Sequence, residues 1–87
     1  MQYLFSGQVS IKRLALLISL TKINSDDIIE ALADHFVKGL SESAAASVNG
    51  VQQPNLKRAI KKLNDVAEAV EKIKELDWLK FKQQSLN

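Results

Sequence analysis

Apolar residues recur along this chain at intervals of three and four, and nowhere as a sustained two-residue alternation. That periodicity predicts an all-α protein, a small helical domain of four to five helices. Glycine and proline punctuate the chain sparsely, at Gly7, Gly39, Gly50 and Pro54, and mark the boundaries between helices. Ser10 is suited to cap a first helix that presents Ile11, Leu14, Leu17 and Ile18 on one face and runs to about Leu20. Asn24-Ser25-Asp26-Asp27 opens a second. A capping hydroxyl or amide satisfies free amides there, and the carboxylates complement the positive helix terminus. This helix is expected to bury Ile28 or Ile29, Leu32 and Phe36, and to stop at Gly39 in a left-handed C′ position.

Ser41 caps a short third helix, Glu42 to about Asn49, with Ala44, Ala45, Ala46 and Val48 on its inner face. Gly50 and Val51 follow, and a new helix begins near Gln52 or Gln53. Pro54 falls in its first turn, where a missing amide hydrogen costs nothing. Leu56, Ile60 and Leu63 form its apolar stripe, and Val66, Ala67, Val70, Ile73 and Leu76 continue the spacing. A break is expected at Asn64-Asp65, with Asp65 as a new N-cap and Glu68 completing a capping box. The last residues, about 82–87, are expected to fray.

With 87 residues the chain makes a single domain, residues 1–87. So short a chain buries only about 60–65% of the surface exposed when unfolded, so its stability margin is thin. Cysteine is absent, which removes disulfides and thiolate metal sites. Self-association is the usual remedy. The longest apolar run, Leu14 to Leu20, is too short to cross a bilayer. Lys12 and Arg13 precede it as in a signal peptide, but no small-x-small cleavage pattern follows, so a buried helix and a cytoplasmic protein are expected.

The net charge of +2 is bland, but its distribution is not. Residues 51–64 carry Lys57, Arg58, Lys61 and Lys62 and no acid, while the other eight basic residues are outnumbered by all ten acidic ones. A local concentration of positive charge attracts a polyanion whatever the overall balance.

The segment from about residue 41 to 63 meets the mechanical requirements of a helix-turn-helix. Ala46 is small enough for a close helix crossing, Gly50 can take a positive φ at the turn, and Val51 can plug the corner. Leu56, Ile60 and Leu63 face inward, which leaves Gln52, Gln53, Asn55, Lys57, Arg58, Lys61 and Lys62 partly or wholly outward. The first turn of a recognition helix meets base edges. Gln and Asn pair with adenine in two places at once, Arg does so with guanine, and lysines further along suit phosphates.

From about Phe5 to Ile73 the chain resembles the PapB family of fimbrial adhesin operon regulators. The residues that carry the resemblance begin with Leu17-Ile18, Ser19, Ile23 and Ser25-Asp26. They continue with Ile29, Ala31, Asp34, Val37, Gly39, Ser41 and Leu63. The resemblance implies a sequence-specific transcriptional regulator that self-associates on AT-rich operator DNA. Ser41 and Ser43, at the start of the third helix, join the expected DNA-binding residues. The family usually has basic residues after that Ser, where Glu42-Ser43 stands here, so phosphate contact is expected to move to Lys57, Arg58, Lys61 and Lys62. Ala46 replaces a common cysteine and keeps its small size. Gln52-Gln53-Pro54-Asn55 differs from the family's Asn-Asn-Gly-Tyr, which points to a different preferred DNA sequence.

Other classes fit less well. With one histidine, His35, and no cysteine, the chain lacks nucleophile–base dyads and common zinc sets, so no catalytic residue, metal or cofactor is expected. His35 reads as a partly buried structural residue beside Phe36. Asp26, Asp27, Glu30 and Asp34 lack EF-hand spacing and read as helix-start electrostatics and a solvated face. RNA binding lacks stacking aromatics near the basic segment. The rival is a small helical protein–protein interaction module without intrinsic DNA specificity. It would use the stripe from Leu63 to Leu76, flanked by Glu68–Lys72 and Glu71–Lys74 pairs, with Trp78 and Phe81 as anchors. The favoured partners are double-stranded AT-rich DNA and further copies of the chain, as a homodimer or higher oligomer, with no membrane.

Overall fold

The computed structural model describes residues 2–85. Four helices follow in order: α1 (Ile11–Ser19), α2 (Asp26–Phe36), α3 (Glu42–Val48) and α4 (Gln53–Ser85). No strand occurs among the described residues. Local chemistry sets the starts of α1 and α3 as expected, and that of α2 only in part. Ser10 Oγ accepts from the Arg13 amide and Ser41 Oγ from the Ala44 amide, each at 3.1 Å. Ser25 makes no such bond with its side chain, and α2 relies on Asp26 and Asp27 in its first turn.

The core takes Leu14 and Leu17 from α1, Leu32 and Phe36 from α2, and Leu56 and Leu63 from α4. Ala31, Ala45, Ala46, Ala59 and Ala67 fill the crossings, where a larger side chain would hold the helices apart. Each fully buried leucine or phenylalanine contributes roughly 1.5–3 kcal/mol relative to exposure.

An N-terminal segment that the periodicity left without a role is part of this core. Leu4 and Val9 are buried in it. The Gly7 amide donates to the His35 carbonyl at 3.1 Å and the Val9 amide to that of Phe36 at 3.0 Å, which caps the end of α2. Gly7 has φ +71, and a Cβ there would lie 3.2 Å from the Gly39 Cα, so only glycine passes this point unstrained. Gly39 is left-handed as expected, but α2 already ends at Phe36.

Three expectations are corrected. Ile11 and Val48, at the first position of α1 and the last of α3, lie on exposed faces. The break at Asn64-Asp65 does not occur, and α4 runs continuously from Gln53 to Ser85. Neither residue acts as a cap. Asn64 Oδ1 accepts from the amides of Tyr3 and Leu4 at 2.9 and 3.0 Å, while Asp65 pairs with Lys61 at 3.0 Å. The apolar stripe of α4 also stops packing earlier than its spacing suggests. Leu63 and Ala67 are buried and Val66 and Val70 half-buried, but Ile73 and Leu76 are exposed. The fraying expected over 82–87 falls partly on residues 86 and 87, outside those described. Among the described residues no helix is long and apolar enough to cross a membrane.

Candidate nucleic-acid interface

α3 and α4 are joined by residues 49–52, and the bonds of this link explain its sequence. Gly50 takes φ +66, a conformation that costs other L-residues about 1–2 kcal/mol. Its amide donates to the Ser47 carbonyl at 3.2 Å, and the Val51 amide then donates to that of Ala46 at 3.0 Å. Val51 is half-buried against the core and fills the corner. The Gln52 carbonyl accepts from Asn55 and Leu56 at 3.0 and 3.2 Å and so starts α4, with Pro54 in its first turn.

A side chain from α2 fixes this turn. Asn49 Nδ2 donates to Asp34 Oδ2 and to the Ala45 carbonyl, both at 2.8 Å. Asp34 is buried, and its carboxyl is held below the ordinary range chiefly by the Asn49 bond. Lys38, 3.3 Å away, assists, while burial pulls the other way. Sequence reasoning counted Asp34 with Asp26, Asp27 and Glu30, but those three are exposed and Asp34 alone anchors the turn. Among the described residues no cluster of His, Cys, Asp or Glu is placed to hold a metal ion. His35 is buried as expected, with Nδ1 2.7 Å from the Leu40 carbonyl and its ring edge-on to Phe36.

Every residue expected at the interface is exposed: Gln52, Gln53, Asn55, Lys57, Arg58, Lys61 and Lys62 at and beyond the start of α4, Ser41 at the cap of α3 and Ser43 in its first turn. The structure nonetheless divides them. Asn55, Arg58 and Lys62 share one flank of α4, where Lys22, Asn24 and Ser25 of the α1–α2 loop face them across an open cleft of about 570 Å³. Arg58 donates through Nη2 to Asn55 Oδ1, which holds the guanidinium at the rim. On the opposite flank, Lys61 shares a depression with Glu42 and Asp65, and Asp65 pairs with it directly. Lys22, Lys57 and Lys62 form no ion pair among the described residues. Lys22 was missed because it lies outside the basic segment in sequence, and only the fold of the loop brings it alongside.

Two helices joined by a glycine turn, the second opening on exposed amides and cations, define a helix-turn-helix domain. Residues 1–76 match the PapB family, described as adhesin biosynthesis transcription regulatory protein, and the chain belongs to that family. Its fold is similar to that of E. coli FocB, known from a crystal structure at 1.4 Å resolution. The TM-score is 0.79 at 24% identity, over 86% of this chain and 85% of that one. Among curated proteins none matches the chain. Family membership makes this a DNA-binding transcription regulator of adhesin biosynthesis and not an enzyme.

Proposed function

We propose that the chain binds AT-rich operator DNA at a fimbrial adhesin operon as an oligomer, through the helix that starts near Gln53. One observation carries this reading. The turn at Gly50 presents Gln52, Gln53 and Asn55 to solvent together with the unpaired cation Lys57 and the rim cations Arg58 and Lys62. Carboxamides pair with adenine through donor and acceptor at once, which favours A·T pairs, while the cations suit phosphates. Ser41 and Ser43, exposed on the neighbouring helix, are assigned supporting contacts to the backbone. Lys61 contributes least, because Asp65 and Glu42 offset its charge.

The oligomer is supported by the far part of α4. Ile73, Leu76, Trp78, Leu79 and Phe81 are all exposed there, beyond Val70, the last residue of α4 packed against the core. Exposed apolar side chains gathered on a helix outside the core mark an interaction surface, and a second copy is the occupant assigned to them.

Fluorescence anisotropy with AT-rich and GC-rich duplexes at several salt concentrations tests the reading. Tighter binding to the AT-rich duplex and a steep fall with salt are expected. Lys57→Ala should lower the salt slope by about one unit, and Lys61→Ala by less. Binding that is absent, or insensitive to salt, overturns the assignment.

A further inference from the structure

We infer that the cleft between the α1–α2 loop and α4 is a phosphate subsite that grips the DNA backbone alongside the recognition turn, with Lys22 as its outlying cation. The inference rests on the DNA-binding reading above and extends it to an element outside the helix-turn-helix. Lys22, Arg58 and Lys62 converge on the cleft from two separate parts of the chain, and no carboxylate lines it. The nearest acids in sequence, Asp26 and Asp27, follow Ser25 on the first turn of α2 and are not among its walls. Asn24, Ser25 and Asn55 add neutral hydrogen-bonding groups at the rim. The floor is apolar, formed by Ile23, Ile28 and Ala59, and offers the cations no competing carboxylate. Low-dielectric walls of one charge sign focus the field into such a concavity.

The asymmetry of α4 points the same way. Its other flank carries Glu42 and Asp65 beside Lys61, so a polyanion lying along the helix is drawn toward the Lys22 side. The cleft is open and wide enough for a phosphodiester to approach from solvent without rearrangement of the core. A contact of this kind positions the duplex and carries no base information.

The test compares Lys22→Ala, Lys22→Arg and Lys12→Ala with the wild type by anisotropy against the same duplexes. Lys12 is an exposed lysine at the far end of α1 and controls for a simple loss of charge. Each phosphate contact contributes about 0.9 to the salt slope. Lys22→Ala should therefore flatten the loss of affinity between 50 and 200 mM salt by about 3.5-fold. The effect should be equal on AT-rich and GC-rich duplexes, while Lys22→Arg and Lys12→Ala keep the wild-type slope. An unchanged slope in Lys22→Ala, with Lys57→Ala still weakened, overturns the subsite and leaves the reading of α4 intact. An equal change in Lys12→Ala overturns it as a general charge effect. Failure of the wild type to bind any duplex defeats the DNA reading first and the subsite with it. Inorganic phosphate, titrated alone and followed by the Lys22 resonances, separates a backbone phosphate from a free anion. No saturable shift is expected, and a saturable one without a duplex effect of Lys22→Ala overturns the proposal.

Discussion

The carboxylate of Asp34 stands between Asn49 Nδ2 at 2.8 Å and Lys38 Nζ at 3.3 Å, and through Asn49 it holds the turn that aims α4. The Asn49 bond is the main cause of its lowered pKa, with Lys38 adding to it against the effect of burial. The sign of the pH dependence follows. A carboxyl with a folded pKa below its unfolded value of about 3.9 stabilises the protein fully above that pH and loses the contribution as pH falls through the folded pKa. Urea unfolding at stepped pH should therefore show stability dropping below about pH 4. Asp34→Asn should be less stable at neutral pH and lack this part of the acid dependence. A variant that keeps the whole wild-type acid limb would show that other carboxylates carry it. In sequence, Asp34 is one of four acids on a helix, and nothing local distinguishes it. Its role depends on where Asn49, the residue that follows α3, lands, which is a tertiary fact.

At the scale of elements, helical periodicity was legible because the apolar stripes recur over long windows, and the helix-turn-helix because each position has its own mechanical requirement. Ala46, Gly50, Val51 and Leu56 occupy the places their sizes predict. The continuity of α4 was not legible. Asn64-Asp65-x-x-Glu68 reads locally as a helix start, yet the deciding contacts of Asn64 are with Tyr3 and Leu4, 61 and 60 positions away. For the same reason the N-terminal segment had no sequence signal: Leu4 and Val9 are too few to show a period. Asn64→Ala removes the acceptor for two partly buried amides, a loss of about 1–3 kcal/mol. The urea midpoint should fall while far-ultraviolet helicity stays near wild type, since Asn64 uses only its side chain to hold the N-terminal segment. An unchanged midpoint would mean that water replaces Asn64 at no cost and that these bonds add little to stability.

The whole molecule is elongated, 56 Å by 23 by 22 Å, because α4 alone spans about 50 Å at 1.5 Å per residue while the packed domain uses only its first half. The projecting half departs from the rest of the chain. Trp78 and Phe81 stack at 5.8 Å between ring centroids, remain more than half exposed, and lie past residue 76, where the family match ends. Glu68–Lys72 and Glu71–Lys74 pairs support the helix before it, so the stalk is held as a helix without core contacts. Exposed aromatics on a stalk do not stabilise the monomer, and their burial against a second copy would relieve the thin margin of so small a core. Each is worth roughly 1.5–3 kcal/mol when fully buried. Trp78→Gln with Phe81→Gln should therefore weaken self-association by at least about 100-fold in sedimentation equilibrium. Melting of the dilute monomer should change little, because neither side chain touches the core. Binding to a duplex with a single site should be retained, while binding to adjacent sites should lose its cooperativity, since α4 would still read DNA but no longer join its neighbours. A double variant that associates like wild type would place the oligomer surface elsewhere. A wild type that stays monomeric on tandem sites would remove the oligomer from the proposal and leave α4 to act alone.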